Sequence, residues 1–298
     1  MTLGGKSGDD VLRLINSACQ SPPCFSLHPL VGFPINAIFV EFMQTQNGRA
    51  FFADREVNAA LKPVLDDYNR MLQSPASLAF MNADSPSGWL CPEALAQVDM
   101  AEYECSPEEP HYGFRCWNEW FLRKFRPGAR AVGAGSPEGV PRENTIVSSC
   151  ESTPLLSPLQ PQTNGGPASL FEGGTVYQAF LSALFYHRWH SPVDGVVEDV
   201  YDIAGTYYLD QSEALPYDEA SPDMSQSFLS AVATRKVVVI RAANARVGRV
   251  AIIYIGMAEV SSCVTTVRVG DSVKQGTRSA TLSSEAPPTQ SSSKGRPN

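Results

Sequence analysis

Two of the chain's four histidines, His187 and His190, lie in the string Tyr186-His187-Arg188-Trp189-His190-Ser191-Pro192-Val193-Asp194-Gly195. Imidazoles exchange protons near neutral pH, so two in one short stretch are candidates for acid–base work. Pro192 stops any helix here, and Asp194-Gly195 makes a turn. If one helical turn precedes the proline, the rings share a face. If the chain is extended, their odd separation sends them to opposite faces and to different tasks. One ring could then be held by a carboxylate such as Glu151 while the other faces a substrate. Each could equally satisfy a buried hydrogen bond. The pair is not a zinc motif, because no third histidine is near and no carboxylate stands at ligand spacing.

The elements that must position these rings can be read from patterning. Residues 174–185 set Val176, Tyr177, Phe180, Leu181, Leu184 and Phe185 at helical spacing, which predicts a helix leading into the histidines. Ile146-Val147 reads as the start of a strand that ends at Cys150-Glu151-Ser152. After the histidines come short β-prone runs: Val193–Val200, Gly205–Leu209, Lys236–Ile240, Gly248–Ile255 and Cys263–Val269. Gly270-Asp271 is a turn signal. Such a succession predicts an antiparallel or mixed sheet.

The first half has a different texture. Asp54 predicts the cap of a helix over 55–73, with Val57, Leu61, Val64, Leu65, Tyr68 and Leu72 as its apolar stripe. Pro63 predicts a kink or break within it. A second helical stretch is expected near 92–101, while Val31 to Phe39 reads as packed irregular chain. Trp117, Trp120, Phe121 and Phe125 follow one another closely, and Asn118 is the expected cap of a short helix with an aromatic face. Arg123, Lys124, Arg126 and Arg130 form a basic run, either a solvated face or an anion contact. Residues 153–170 are rich in proline and glycine and read as a linker.

Bulk properties narrow the classes. The chain has 298 residues, 43% of them hydrophobic, enough for one large domain or two modest ones. Its formal charge of −8 repels phosphate backbones and gives no general pull toward anionic lipid, so no nucleic-acid partner is expected. No apolar run reaches membrane-spanning length. Seven cysteines with no close Cys-x-x-Cys pair, and no signal-type apolar stretch ahead of them, predict free thiols in a reducing, cytoplasmic setting.

Longer strings carry a resemblance. Gly173-Gly174-Thr175-Val176-Tyr177-Gln178-Ala179-Phe180-Leu181-Ser182, followed by Tyr186 to Pro192, resembles the pyruvoyl-dependent phosphatidylserine decarboxylase family. Its fungal L-tryptophan decarboxylase-like branch is the nearest in pattern. Val31 to Ile38, Tyr112-Gly113-Phe114, Asn144 to Val147, Cys150-Glu151-Ser152, Ala231 to Arg235 and Ile255 to Ser262 agree. The resemblance covers most of residues 28–276. It implies an α+β fold: a helical N-terminal region, 1–110, then a mostly antiparallel β-sheet core, 111–276, incomplete at its C-terminal side. A disordered tail, 277–298, is expected to follow.

The resemblance also implies chemistry. In the family an internal serine attacks its preceding carbonyl, and elimination leaves a pyruvoyl group. That group forms a Schiff base with the substrate amine and acts as an electron sink while CO₂ leaves. His190 falls on the relay histidine, His187 on the histidine associated with decarboxylation, and Glu151 where the family has the relay carboxylate. The implied substrate is a small amine, an aromatic L-amino acid. The alternatives are phosphatidylserine or a non-catalytic, amine-binding homologue. The pattern breaks at two places. Val273-Lys274-Gln275-Gly276 leads to Thr277-Arg278-Ser279-Ala280 rather than to a Gly-Gly-Ser string, so the serine that would supply the pyruvoyl group is missing. Residues 153–170 are shorter than the family segment they replace.

Overall fold

The helices gather at the beginning because the local signals there are helical. A computed structural model describes residues 7–27, 32–132, 138–154, 166–209 and 225–283. Helix α1 (Gly8–Cys19) opens on a capping box, in which Ser7 and Asp10 satisfy each other's backbone N–H. Helix α2 (Pro34–Met43) occupies the stretch expected to be irregular. Pro34 stands at the first helical position, where its missing N–H costs nothing, so it starts the helix rather than breaking it. Thr45 caps α3 (Gln46–Ala53).

Asp54 caps α4 (Arg55–Leu72) as the sequence predicts, accepting from the Glu56 and Val57 N–H groups. The helix runs on through Pro63, which is exposed. The carbonyl it strands, that of Ala59, lies on the same exposed face and can turn to water. Leu65, Tyr68 and Leu72 are buried on the opposite face. Of the helix expected near 92–101, a single turn forms, α5 (Pro92–Leu95), with a 3₁₀ turn at Met100–Glu102. Helix α6 (Trp117–Phe121) begins two residues earlier than a cap at Asn118 would place it. Cys116 holds the cap position, and Asn118 is buried inside the helix.

The strands pair antiparallel throughout. β1 (Thr153–Pro154) pairs with β2 (Ala179–Phe180). The rest of 174–185 is turn and extended chain rather than a helix. Val176, Tyr177 and Phe185 stay exposed, so their spacing marks no buried face. β3 (Arg188–His190) carries the second histidine. β4 (Gly195–Ile203), β5 (Arg235–Ala242) and β6 (Arg249–Ile255) form a meander, with α7 (Gln226–Val232) before β5. β7 (Ser262–Thr265), β8 (Ser272–Val273) and β9 (Arg278–Ser283) complete the set. The sheet orders are β6-β5-β4-β8 and β3-β9-β7. The run Gly205–Leu209, expected as a strand, makes only the bridge Thr206–Ala233, because Tyr208 turns inward against Phe39 and Phe52.

Strand β9 corrects the expected tail. Residues 278–283 are the central strand of a sheet, paired to β3 on one side and β7 on the other. Two-sided burial explains it: Ser279, Ala280 and Thr281 are all buried, so the strand carries no polar and apolar alternation to announce it, and the serine-rich continuation masks it further. Residues 284–298 of that tail, and 155–165 of the expected linker, lie outside the described residues.

Two apolar cores result. One, rich in aromatic rings, fills the space between α1–α6 and reaches Tyr186, Tyr208 and Ala258. The other is aliphatic and lies between the two larger sheets, with Val197, Val238, Ile240, Ile252 and Tyr254 at its centre.

Candidate active site

The histidines stand at the seam between these cores, and extended backbone separates them as the odd spacing requires. His187 precedes β3 and points into the aromatic core, where it is 2% exposed. Its ring stacks on Phe121 with centroids 3.9 Å apart. Nδ1 lies 2.9 Å from the Phe185 carbonyl oxygen. A carbonyl only accepts, so Nδ1 carries the proton and Nε2 keeps its lone pair. Burial pushes the imidazole pKa down to about 3, and the nearby Arg123 charge pushes the same way. His187 is therefore a neutral ring at neutral pH.

His190, on β3, is partly exposed. Its ring lies parallel to that of Tyr186, and the Tyr186 hydroxyl is 3.4 Å from Nε2. Burial lowers its pKa, and the flanking charges of Arg278 and Arg188 add to the effect. Tyr186 is itself held by a stack on Phe125, and burial raises its phenol to about 12.

The segment carrying Glu151 runs beside β3. The His190 N–H donates to the Ser149 carbonyl at 2.8 Å, and the Val147 N–H to that of Pro192 at 3.1 Å. Ile146-Val147, expected to begin a strand, makes this contact without forming a regular ladder. Glu151 does not reach either imidazole. Its Oε1 accepts from Arg130 Nε at 2.7 Å, and the same guanidinium pairs with Glu102. The two carboxylates together hold the Arg130 pKa above its usual value. Glu102, Tyr103, Arg130, Glu151, Ser152 and Phe185 line a cavity of about 320 Å³.

The basic run divides. Arg126 donates to the Ala101 and Cys105 carbonyls, and Arg130 holds the carboxylates just named. Arg123 is 1% exposed. It donates to the Trp120 and Leu184 carbonyls, and its guanidinium carbon lies 4.4 Å over the Tyr103 ring and 4.5 Å over Trp120. Sequence pattern alone groups these arginines, whereas the fold buries one and spends another on an ion pair.

No serine hydroxyl hydrogen-bonds to either imidazole among the described residues. Ser191 Oγ donates to the Val193 carbonyl at 2.7 Å. Ser279 is closest in register to His190, beside the irregularity where Trp189 pairs with Ala280 and His190 with Arg278. It is fully buried, and its Oγ lies 2.9 Å from the Tyr254 hydroxyl. Ser261 donates to the Ala258 carbonyl. A serine-derived pyruvoyl group needs a hydroxyl set beside its own preceding carbonyl with a base in reach. The described serines do not provide that arrangement. Among the described residues no three His, Cys, Asp or Glu side chains gather as a metal site.

One buried acid escaped the sequence reading. Glu259 is 3% exposed, and its Oε1 accepts from the backbone N–H groups of Ile35 and Asn36. The signal available was indirect: Pro34 opens a helix whose preceding residue, Phe33, has no side chain able to cap it.

A helical layer followed by antiparallel sheets, with a histidine pair at their seam, is the arrangement that the resemblance to phosphatidylserine decarboxylases implies. Family models described as phosphatidylserine decarboxylase match residues 5–98 and 117–284, and the chain belongs to that family. It is 32% identical to decarboxylase iboD of Amanita muscaria, over 82% of this chain and 79% of that protein. It is 28% identical to an L-tryptophan decarboxylase of Psilocybe cubensis, over 83% of this chain but only 64% of that one. A phosphatidylserine decarboxylase proenzyme of Fusobacterium nucleatum is 25% identical over 60% of this chain and 59% of its own.

Proposed function

We propose that this chain is an aromatic-amino-acid decarboxylase scaffold that does not complete its own maturation. The helical region, 1–110, and the β core, 111 to the end of β9, both take part. The observation that carries the proposal is the absence, among the described residues, of a serine hydroxyl hydrogen-bonded to His187 or His190, together with a sequence that has no Gly-Gly-Ser string after Gly276. A pyruvoyl group, where the family has one, supplies an electron sink for the carbanion left by CO₂. In this chain the residues around the histidines keep what such a reaction would use. His187 holds a lone pair at Nε2 against Phe121 and is shielded from water. His190, with the Tyr186 hydroxyl beside it, is the ring placed for relay work, and Glu151 stands one segment away on Arg130.

The aromatic L-amino acid is preferred over a phospholipid because the cavity beside Glu151 is small, about 320 Å³, and is walled by Tyr103 and Phe185. Two carboxylates against one arginine suit an ammonium group. No described helix is long and apolar enough to cross a membrane. Each of the seven cysteines is a free thiol, which favours a reducing, cytoplasmic setting.

Intact-mass measurement of the purified chain tests maturation. One species at 32.3 kDa is expected. Two fragments, the smaller blocked at its N-terminus by a pyruvoyl group, would overturn the proposal. Calorimetric titration tests the ligand. L-Tryptophan should bind and glycerophosphoserine should not, and the reverse order would favour the phospholipid reading.

A further inference from the structure

The first turn of α2 leaves backbone N–H groups that nothing local satisfies. Pro34 has none to offer, and the Phe33 side chain cannot accept one. The Ala37 N–H reaches the Phe33 carbonyl, but those of Ile35 and Asn36 do not find a partner nearby in sequence. Both donate instead to Oε1 of Glu259, the Asn36 bond being 2.9 Å long and spanning 223 positions of sequence.

Glu259 sits in the connection between β6 and β7, on a tight turn closed by Met257 and Val260. Ala258, just before it, has φ +47°, a left-handed conformation that costs an alanine about 1–2 kcal/mol. It is held there by its N–H bond to the Tyr207 carbonyl at 3.1 Å and by the Ser261 hydroxyl on its own carbonyl. The turn spends strain to aim one carboxyl group at one helix end. A second link runs in parallel, where the Tyr207 N–H donates to Asn58 of α4 at 3.0 Å.

The other oxygen, Glu259 Oε2, has no protein partner among the described residues, and neither do the hydroxyls of Tyr68 and Tyr208. Burial first, and then the nearby Glu259 charge, raise the pKa of these two tyrosines, from α4 and from the chain after β4, and of the Cys19 thiol of α1. No described basic side chain pairs with the carboxyl group. We propose that Glu259 is a positioning residue, a latch by which the β core holds the helical layer through the end of α2, and that its hold depends on the proton carried by Oε2.

The chemistry of the two forms differs in one atom. Protonated, the group still accepts both N–H bonds through Oε1 and gains a donor for a neighbouring hydroxyl. Ionised, it gains from the helix dipole but leaves a buried charge with no cation. Burial wins over the helix end, and the carboxyl pKa rises from 4.5 to about 7. An acid whose folded pKa is raised stabilises the fold at low pH. That contribution is lost as pH rises from about 4.5 to about 7 and is flat above.

Amide exchange of the segment 34–43 in the full chain, corrected for intrinsic rates, tests this. Between pH 6 and pH 8 the opening of α2 should increase about tenfold in the native protein, from the linkage of the two pKa values. Glu259→Gln keeps the acceptor and supplies a permanent donor in place of the proton, so its opening should not change with pH. Glu259→Ala should open more readily at both pH values. Should that variant fail to fold, Glu259→Gln against the native chain decides alone. Equal pH dependence in native and Glu259→Gln proteins would overturn the proposal, as would native-like protection of 34–43 in a folded Glu259→Ala.

Discussion

The aromatic core and the aliphatic core differ in what they enclose. Between the sheets, Val197, Val238, Ile240 and Ile252 pack with Tyr254, and that tyrosine's hydroxyl is satisfied by Ser279. Between the helices lie Trp89, Trp117, Trp120, Phe121 and Phe52, and among them Arg123, His187, Asn36, Asn69 and Glu259 are also buried. Most buried side-chain polar atoms without a protein partner among the described residues belong to this aromatic side. A sheet core can be filled by β-branched residues whose backbone bonds are made in the ladder. The helical side packs short helices and loops at irregular angles, and large rings fill those gaps while tolerating polar neighbours. The first core specifies a shape, whereas the second also sets the protonation of the groups it holds.

The largest effect should come from removing a ring at the centre of the aromatic side. Trp120→Ala deletes the tilted ring contact with Trp89, 4.4 Å between centroids, and one face of the Arg123 cage. A loss of roughly 3–5 kcal/mol in denaturant unfolding is expected. A loss below about 1 kcal/mol would mean that this side is loosely packed and the contrast is false.

The next effect separates the cores by pH. His187 has a folded pKa below its unfolded value, so its contribution is complete above about pH 6.5 and is lost as pH falls toward 3. The slope should approach 1.4 kcal/mol per pH unit well below 6.5. His187→Phe, which keeps the stack on Phe121, should remove that part of the acid sensitivity, and an unchanged pH profile would sink the assignment. A smaller change tests the sheet side. Ile240→Val removes one buried methylene from a fully buried site and should cost about 0.5–1.5 kcal/mol with no pH dependence. Smallest of all, Ile253→Thr on the exposed face of β6 should stay within about 0.5 kcal/mol of the native chain.

Legibility follows the same division. Strands β4 to β6 lie where runs of valine and isoleucine place them, within a few residues. Helix α4 begins at its predicted cap, because both signals are local. The sequence also puts His187 and His190 on opposite faces once the chain is extended, and Pro192 makes extension the natural choice. The failures concern residues whose partners are far away in sequence. Pro34 reads as a breaker until the carboxyl group that completes its helix is known. Tyr208 reads as part of a strand until Phe39 and Phe52 are beside it. Arg123 and Arg130 are two similar letters in one basic run, separated only by what surrounds them. Glu151 is legible as an acid near the histidines, but its hold on Arg130 is not, since that pairing spans a segment with no periodicity.

Strand β9 has a consequence for the order in which the chain is made. It is the last described strand to leave the ribosome, yet it is the middle strand of its sheet. Until residues 278–283 are available, β3 and β7 have no common partner, and Trp189 and His190 lie on an open edge. The β4-β5-β6 meander can assemble from neighbours as it is translated, while the sheet that carries a histidine must wait. A chain stalled or cut just after Gly276 would therefore keep its aliphatic meander and expose the seam where both imidazoles lie.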